Sequence, residues 1–350
     1  MSNSRFRIGF LGRAMHQSFK DTAAKHPALE VVTLGLERPE SEIAAMLAGC
    51  HGYYVRASRD ELPRPWHVTP DFLARFPRLL MAASYGAGYD TIDVDACTNA
   101  GVIVVNQAGG NAEGVAEHAL GMMLGLLKRI PQANAMLRGG TLVDREVLMG
   151  RELAGRTVGI VGLGHTGGRT AQLANAFGCR VLAVDPYLSA DGCTAKGAQK
   201  TDLPHLLAES DVVSIHCPLT HETRGMFGAA QYAAMRADAL FISTARGSIH
   251  DEAALYEALA CGHLAGAGLD VWEKEPPAPS HPLLSHPAVL ASPHTAGVTH
   301  ESRERVATMA AQAFAIAAAG KIPPRLLNPA AVERCAARWS ETFGCAWPSN

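Results

Sequence analysis

Short, almost unbroken runs of Val, Ile, Leu and Tyr alternate with stretches of helical spacing along nearly the whole chain. This alternation restricts the possible folds more than any other feature. A first series of apolar runs lies at residues 7–11, 31–36, 52–56, 79–84 and 102–106. A second lies at 157–162, 180–185, 212–217, 240–244, 266–271 and 289–292. Strands that are apolar on both faces and separated by helices belong in parallel sheets covered on both sides; a half-exposed strand would alternate with polar residues. The restart at Thr157 predicts two doubly wound α/β units.

Helical spacing at 112–127 and 131–140 separates the two series, and an alanine-rich helix is expected at 300–319. That last helix begins after the second sheet is complete, so it reads as the chain returning to the first unit. The expected organisation is a discontinuous domain of residues 1–111 plus 299–350 and a continuous domain of 112–298, a division that 350 residues readily accommodate. Residues 59–70 are proline-rich without an apolar period and read as a surface loop or flap, with Trp66 and His67 either covering a cleft or, as the simpler reading, idle at the surface. Beyond Pro329 a weak helical pattern over 330–339 fades, and Trp339 or Trp347 is a candidate for a subunit contact.

Composition narrows the function classes. Hydrophobic residues are 48% and charged residues 18%, enough apolar material for large cores and too much for general disorder. A net charge of −2 offers no basic field for a nucleic acid. No apolar run reaches the roughly 18 residues of a membrane span, and Met1–Arg7 is polar, without the pattern of a secretory signal. Eight cysteines are scattered with no Cys-x-x-Cys pair, the usage of reduced thiols in a cytoplasmic protein. The histidine pairs His216/His221 and His281/His286 lack acidic or cysteine partners at ligand spacing, so no metal is expected.

The most informative motif is Thr157-Val-Gly-Ile-Val-Gly162-Leu-Gly164-His165-Thr166-Gly167, a strand running into Gly-x-Gly-x-x-Gly and then a helical pattern over 169–177. Gly162 permits the tight turn, Gly164 lets the backbone approach a pyrophosphate, and Gly167 lets the helix pack close to the sheet. N–H groups at the helix start then face the anion. The next strand ends in Asp185, 18 residues after Gly167, where a carboxylate accepts both ribose hydroxyls and repels a 2′-phosphate. NAD is the expected cofactor. The N-terminal Ile8-Gly-Phe-Leu-Gly12-Arg-Ala-Met begins a similar unit without the glycine spacing or the acid, and is read as the same architecture without a nucleotide.

The later strands of the second series end in Thr244-Ala245-Arg246-Gly, in Asp270-Val-Trp-Glu-Lys-Glu275-Pro and in Ser292-Pro-His294-Thr-Ala-Gly297. Hydride transfer from a hydroxy acid needs a grip on the carboxylate, a proton acceptor and a group that orients it. Arg246 suits the first through paired charge-assisted hydrogen bonds. His294 suits the second, its pKa lying near working pH, and Glu275 the third. Glu273 is the nearest rival to Glu275.

With these motifs in place, the chain resembles the D-isomer-specific 2-hydroxyacid dehydrogenase family over residues 79–328. The residues that carry the likeness are Ser84-Tyr-Gly-Ala-Gly-Tyr-Asp-Thr-Ile-Asp93, Val115-Ala-Glu-His118, the Gly162–Gly167 turn, Asp185 and His216-Cys-Pro-Leu-Thr-His-Glu-Thr223. They continue with Ala245-Arg-Gly-Ser248, 270–276 and Pro293-His-Thr-Ala-Gly297. The resemblance implies a flavodoxin-like substrate domain and a Rossmann NAD domain, with a cleft between them that closes on the substrate. It implies Arg246, Glu275 and His294 as the catalytic set, and backbone N–H groups of Ala87 and Gly88 on the substrate carboxylate beside Arg246 and His294. It implies a nucleotide site of Gly162, Gly164, His165, Thr166, Gly167, Asp185, Pro218, Thr244, Ala245, Arg246, Asp270, His294 and Gly297, with Asp270 near the nicotinamide amide. The helices over 112–140 resemble the family's dimerisation arm, implying a homodimer.

The expected activity is NAD-dependent interconversion of a D-2-hydroxy acid and its 2-oxo acid. Two alternatives stand beside it: an NADH-sensing binding protein like the related corepressors, and a relative oxidising another small anion such as phosphite.

Overall fold

The computed structural model describes residues 5–12, 16–141 and 144–348. The chain divides into two compact units, residues 1–111 with 300–350 and residues 112–299. Thr299, at the junction, falls in the second.

The first unit is built on a five-stranded sheet of β1 (Phe6–Leu11), β2 (Leu29–Leu34), β3 (Gly52–Val55), β4 (Met81–Ser84) and β5 (Ile103–Val105), in the order β2-β1-β3-β4-β5. Every pairing is parallel. β3, β4 and β5 are buried along their whole length, which is why they read as apolar without alternation. One face packs Phe10, Tyr54 and Ile103 against Phe19 and against Phe314 of the helix His300–Ala318; the other packs Tyr53 and Val104 against Leu47, Trp66 and Phe72.

Several expectations are corrected in this unit. β2 begins two residues earlier and ends two earlier than the apolar run, because its partner β1 sets the register Phe6 to Leu29. The segment 59–70 is no flap. It forms 3-10 turns at Arg59–Glu61 and Arg64–Trp66 and then opens the helix Pro70–Arg75. Leu62, Trp66 and Val68 are buried, the Trp66 carbonyl accepts the Tyr53 hydroxyl at 3.2 Å, and the half-buried His67 ring bonds the Leu62 carbonyl at 2.8 Å. A mixture of 3-10 and extended backbone has no single period, so these buried positions leave no pattern to read. The C-terminal tail forms the helix Val332–Phe343, and Trp339 and Trp347 lie in the core of this unit. Trp339 stacks on Phe6 at 5.3 Å and on Trp347 at 5.4 Å, so neither is a surface group awaiting a second subunit. The readings placed on Met1–Ser4 and on Arg13–Met15 of the first turn lie outside the described residues.

The second unit holds seven parallel strands: β6 (Thr157–Val161), β7 (Arg180–Val184), β8 (Gln199–Lys200), β9 (Val212–Ile215), β10 (Leu240–Ser243), β11 (Gly266–Leu269) and β12 (Val289–Ala291). Their order is β12-β11-β10-β9-β6-β7-β8. β8, a two-residue exposed edge strand, is too short and polar for an apolar signal. The chain runs outward from β6 through β7 and β8 and then returns to β9 on the other side of β6. The order therefore reverses beside β6, and ligands of doubly wound sheets bind at the carboxyl ends of strands at such a point. The helices Ala112–Leu127 and His165–Ala176 cover one face, where Met123, Ile160 and Ala171 share a core. The opposite face buries Phe227, Phe241, Leu255 and Trp272.

All eight cysteines are free. Among the described residues no helix is long and apolar enough to cross a membrane, and no cluster of His, Cys, Asp and Glu is arranged to hold a metal.

Candidate functional site

The turn after β6 is shaped by what its glycines exclude. Gly162 has φ of +89°, and a Cβ there would lie 2.6 Å from the Cys217 nitrogen. A Cβ on Gly167 would lie 2.0 Å from the Gly162 carbonyl oxygen, so the helix can approach the strand only without one. A Cβ on Gly164, in contrast, would meet nothing within 4 Å. Gly164 is the N-cap of His165–Ala176 and provides no side-chain cap, which leaves the first N–H groups, those beside His165 and Thr166, facing an open cradle.

Asp185 closes the other side of this cradle. Its Oδ2 accepts the Leu163 N–H at 2.9 Å and its Oδ1 the Tyr187 N–H at 2.9 Å. It therefore holds the turn and also caps the bend before Pro186, while each oxygen keeps a further acceptor site for ribose hydroxyls. Pro218 follows β9, its carbonyl accepting the Thr223 hydroxyl at 2.6 Å. At the end of β10, Thr244 Oγ1 is buried with no partner. The open cradle at Gly164, the uncapped helix start and this orphaned hydroxyl all suit a dinucleotide.

The polar set at the ends of β10, β11 and β12 is drawn together by backbone packing. A Cβ on Gly247 would lie 2.0 Å from the Trp272 carbonyl carbon, so the chain after Arg246 passes directly against the loop that carries Glu275. His294 Nδ1 lies 2.7 Å from Glu275 Oε2, and Glu275 Oε1 accepts the Trp272 N–H at 3.0 Å. Glu273 is exposed, and its N–H is bound by Glu252 at 2.7 Å. Arg246, whose Nη1 donates to the Ala245 carbonyl at 2.7 Å, is near enough for its charge to act on both members of the couple.

The couple perturbs both its members. Burial alone would push the His294 imidazole down, but the hydrogen bond and the charge of Glu275 outweigh burial and hold it above the usual histidine value. Burial likewise pushes Glu275 up; the His294 hydrogen bond and charge, the Trp272 N–H and Arg246 together bring it below the ordinary carboxylate value.

Asp270 is fully buried beneath this loop. It accepts Ser292 Oγ at 2.6 Å and the N–H groups of Thr295 and Ala296 at 2.7 and 2.9 Å. Gly297, half-buried, ends the same turn.

In the first unit, the loop Gly86-Ala87-Gly88 follows β4. The Gly86 carbonyl accepts the Gln107 N–H at 2.8 Å, the Ala87 carbonyl accepts Asn106 Nδ2 at 2.8 Å, and the Gly88 carbonyl accepts the Ser84 hydroxyl. In a trans peptide the N–H points opposite to the preceding carbonyl, so the Ala87 and Gly88 N–H groups face away from these partners.

The profile of the D-isomer specific 2-hydroxyacid dehydrogenase NAD binding domain matches residues 120–296. The chain belongs to this family. A glyoxylate reductase of Korarchaeum cryptofilum is 39% identical over 260 residues, 73% of this chain and 78% of that protein. A D-3-phosphoglycerate dehydrogenase of Archaeoglobus fulgidus is 43% identical over 227 residues, which are 65% of this chain and 43% of that longer protein. The chain thus matches less than half the length of that relative. Among solved structures, a D-lactate dehydrogenase of Aquifex aeolicus complexed with NAD and lactic acid superposes with a TM-score of 0.75 at 30% identity, covering 87% of this chain and 93% of that one.

Within this family member, the second unit is accordingly an NAD-binding domain. Two of its polar groups were given no role from sequence. His118 lies on the helix Ala112–Leu127 with Nε2 2.9 Å from Ser292 Oγ. Glu113, on the same helix, pairs with Arg169. The local signals are an ionisable residue interrupting a largely apolar helix, as Glu117 also does, and for His118 its place in Val115-Ala-Glu-His118.

Proposed function

We propose that the protein is an NAD-dependent oxidoreductase interconverting a D-2-hydroxy acid and the corresponding 2-oxo acid. The observation that carries this reading is the His294–Glu275 couple beside Arg246, at the strand ends of an NAD-binding sheet. NAD, when bound, supplies or takes up the hydride.

The protein's own groups manage charge and protons. The Arg246 guanidinium holds the substrate carboxylate and polarises the C2 oxygen. Glu275 accepts only, so His294 presents Nδ1–H to it and keeps Nε2 for the reaction. During reduction Nε2–H gives its proton to the C2 oxygen; during oxidation Nε2 removes the hydroxyl proton. The nucleotide site is assigned to the Gly162–Gly167 turn, Asp185, Pro218, Thr244, Ala245, Asp270 and Gly297. The relatives named as glyoxylate reductase, phosphoglycerate dehydrogenase and lactate dehydrogenase support a small 2-oxo acid as substrate.

A homodimer in the cytoplasm belongs to the same reading. The helix Ile130–Arg138 and the segment after it expose the apolar side chains Ile130, Leu137, Val147 and Met149, each of a kind that subunit contacts bury.

The test is a panel of 2-oxo acids of increasing size, including glyoxylate and hydroxypyruvate, with NADH and NADPH in parallel. Turnover with NADH and not NADPH supports the reading. Tight NADH binding without reduction of any 2-oxo acid would favour an NADH sensor instead.

A further inference from the structure

The helix Ala112–Leu127 reaches both ends of the nucleotide-binding region with polar side chains. Near its start Glu113 receives a two-pronged hydrogen bond from Arg169, Nε to Oε2 at 2.8 Å and Nη2 to Oε1 at 2.8 Å. Arg169 lies on the helix His165–Ala176, which opens on the phosphate turn. Further along, His118 Nε2 meets Ser292 Oγ at 2.9 Å, and Ser292 Oγ meets Asp270 Oδ1 at 2.6 Å.

The direction of this chain follows from the groups in it. A carboxylate only accepts, so the single hydroxyl proton of Ser292 is committed to Asp270. Ser292 Oγ is then the acceptor for His118, and the proton of that bond belongs to His118 Nε2. Asp270 in turn ties down the loop bearing the imidazole: its carboxylate takes the Thr295 and Ala296 N–H groups, and its carbonyl takes the His294 N–H at 2.7 Å. The Ser292 carbonyl is held from the other side by Trp272 Nε1 at 3.0 Å. Within this net His294 adopts φ of +55°. A non-glycine residue stays in that left-handed region only where its surroundings over-determine it, and such places cluster at functional sites.

We propose that His118 is a positioning residue for the reaction: its Nε2–H fixes the Ser292 hydroxyl on Asp270, and through Asp270 fixes the loop that aligns His294 with Glu275. The helix Ala112–Leu127 is then a brace, gripping the phosphate-turn helix through Glu113 and the imidazole loop through His118. The assignment rests on His294 acting as the acid–base group. The charged groups that face His294 are Glu275, Arg246 and Asp270, and the group that faces His118 beyond Ser292 is Asp270, at 3.8 Å. Without the His118 donor, the Ser292 hydroxyl is free to turn from Asp270. The loop then loses one of its ties, and the Glu275 bond that raises the His294 pKa lengthens. The phosphate turn, held from the other end by Glu113 and Arg169, is left as it was.

The test compares the wild type with His118→Leu, which removes the donor, and His118→Gln, whose amide N–H replaces it. The His294 imidazole is titrated by NMR in the ligand-free protein, and kcat and KM are measured for reduction. His118→Leu is expected to move the His294 midpoint to lower pH and to lower kcat on the order of 10²-fold, the scale of a small misplacement of a catalytic group. His118→Gln is expected to restore both the midpoint and kcat. An unmoved midpoint in His118→Leu, or a loss that Gln does not restore, would overturn the proposal. Should the Leu variant fail to fold, Ser292→Ala breaks the same chain at its middle link and must shift the midpoint alike. If the wild type reduces no 2-oxo acid, the functional reading falls, while the NMR titration still decides whether His118 reaches His294.

Discussion

Glu275 Oε2 and His294 Nδ1 face each other at 2.7 Å, and the second carboxylate oxygen is fastened to the Trp272 backbone. The carboxylate is therefore fixed, and it fixes in turn which imidazole nitrogen is free. Because Glu275 raises the His294 pKa, the acid form needed for reduction persists above the usual histidine range and is lost as pH rises through the raised value. The rate of 2-oxo acid reduction is expected to fall along that limb. Glu275→Gln should shift the limb to lower pH, and His294→Ala should lower kcat by about 10²–10⁴-fold. A Glu275→Gln enzyme with the wild-type pH–rate profile would contradict the role given to the couple.

The phosphate turn offers a separation of folding from binding. Gly167→Ala places a Cβ 2.0 Å from the Gly162 carbonyl oxygen, a backbone clash that must open the turn. It is expected to destabilise the protein by about 1–3 kcal/mol, read as a lower Tm. Gly164→Val meets no protein atom within 4 Å of its Cβ and should leave Tm almost unchanged, while NADH affinity falls because the new side chain fills the cradle. Equal effects of the two substitutions on Tm would refute this division of labour.

Acid stability is expected to depend on buried neutral histidines. His250 is pushed down to about 4, chiefly by burial, and neither of its ring nitrogens has a hydrogen-bond partner. His51, where burial leads and Arg78 and Arg7 add to it, is pushed to a similar value. The unfolded chain binds a proton near the ordinary histidine value of 6.5, whereas the folded protein refuses it until about pH 4. Stability is thus complete above 6.5 and is lost as pH falls through that interval. His250→Phe, beside the ring of Phe241, should flatten the fall of Tm with decreasing pH. The slope is the readout, whatever the variant's Tm at neutral pH.

The C-terminal helix is expected to be integral to the first unit. Trp339 is buried among Phe6, Phe343 and Trp347. Trp339→Ala should cost about 3–5 kcal/mol, the usual range for truncating a large buried aromatic. If calorimetry resolves a separate transition for this unit, that transition should drop and the other remain. A Trp339→Ala protein with wild-type Tm would show that the tail is dispensable.

Much of the architecture was legible because it rests on local rules. Buried parallel strands leave apolar runs, and β3, β6, β9 and β10 announce themselves in this way. The helix Ala112–Leu127 is delimited by its own spacing. Residues 59–70 escape such rules, and in the tail the helical spacing shows a helix but not what its apolar face packs against. Leu62, Trp66 and Val68 are buried by a segment whose backbone has no regular period, so nothing local distinguishes them from surface.

The site divides along the same line. Sequence alone determined that a glycine turn, an acid 18 residues beyond it, and an arginine, a carboxylate and a histidine stand at successive strand ends; each follows from short-range geometry that the chain must satisfy wherever it folds. Only the tertiary structure decided that Glu275 and not Glu273 meets His294, that Asp270 holds the loop from beneath, and that His118 closes the chain of hydrogen bonds from 174 residues away. Those relationships depend on which backbones can approach. The close passage of Gly247 under Trp272 is one example, and no stretch of sequence encodes it without its partner in place.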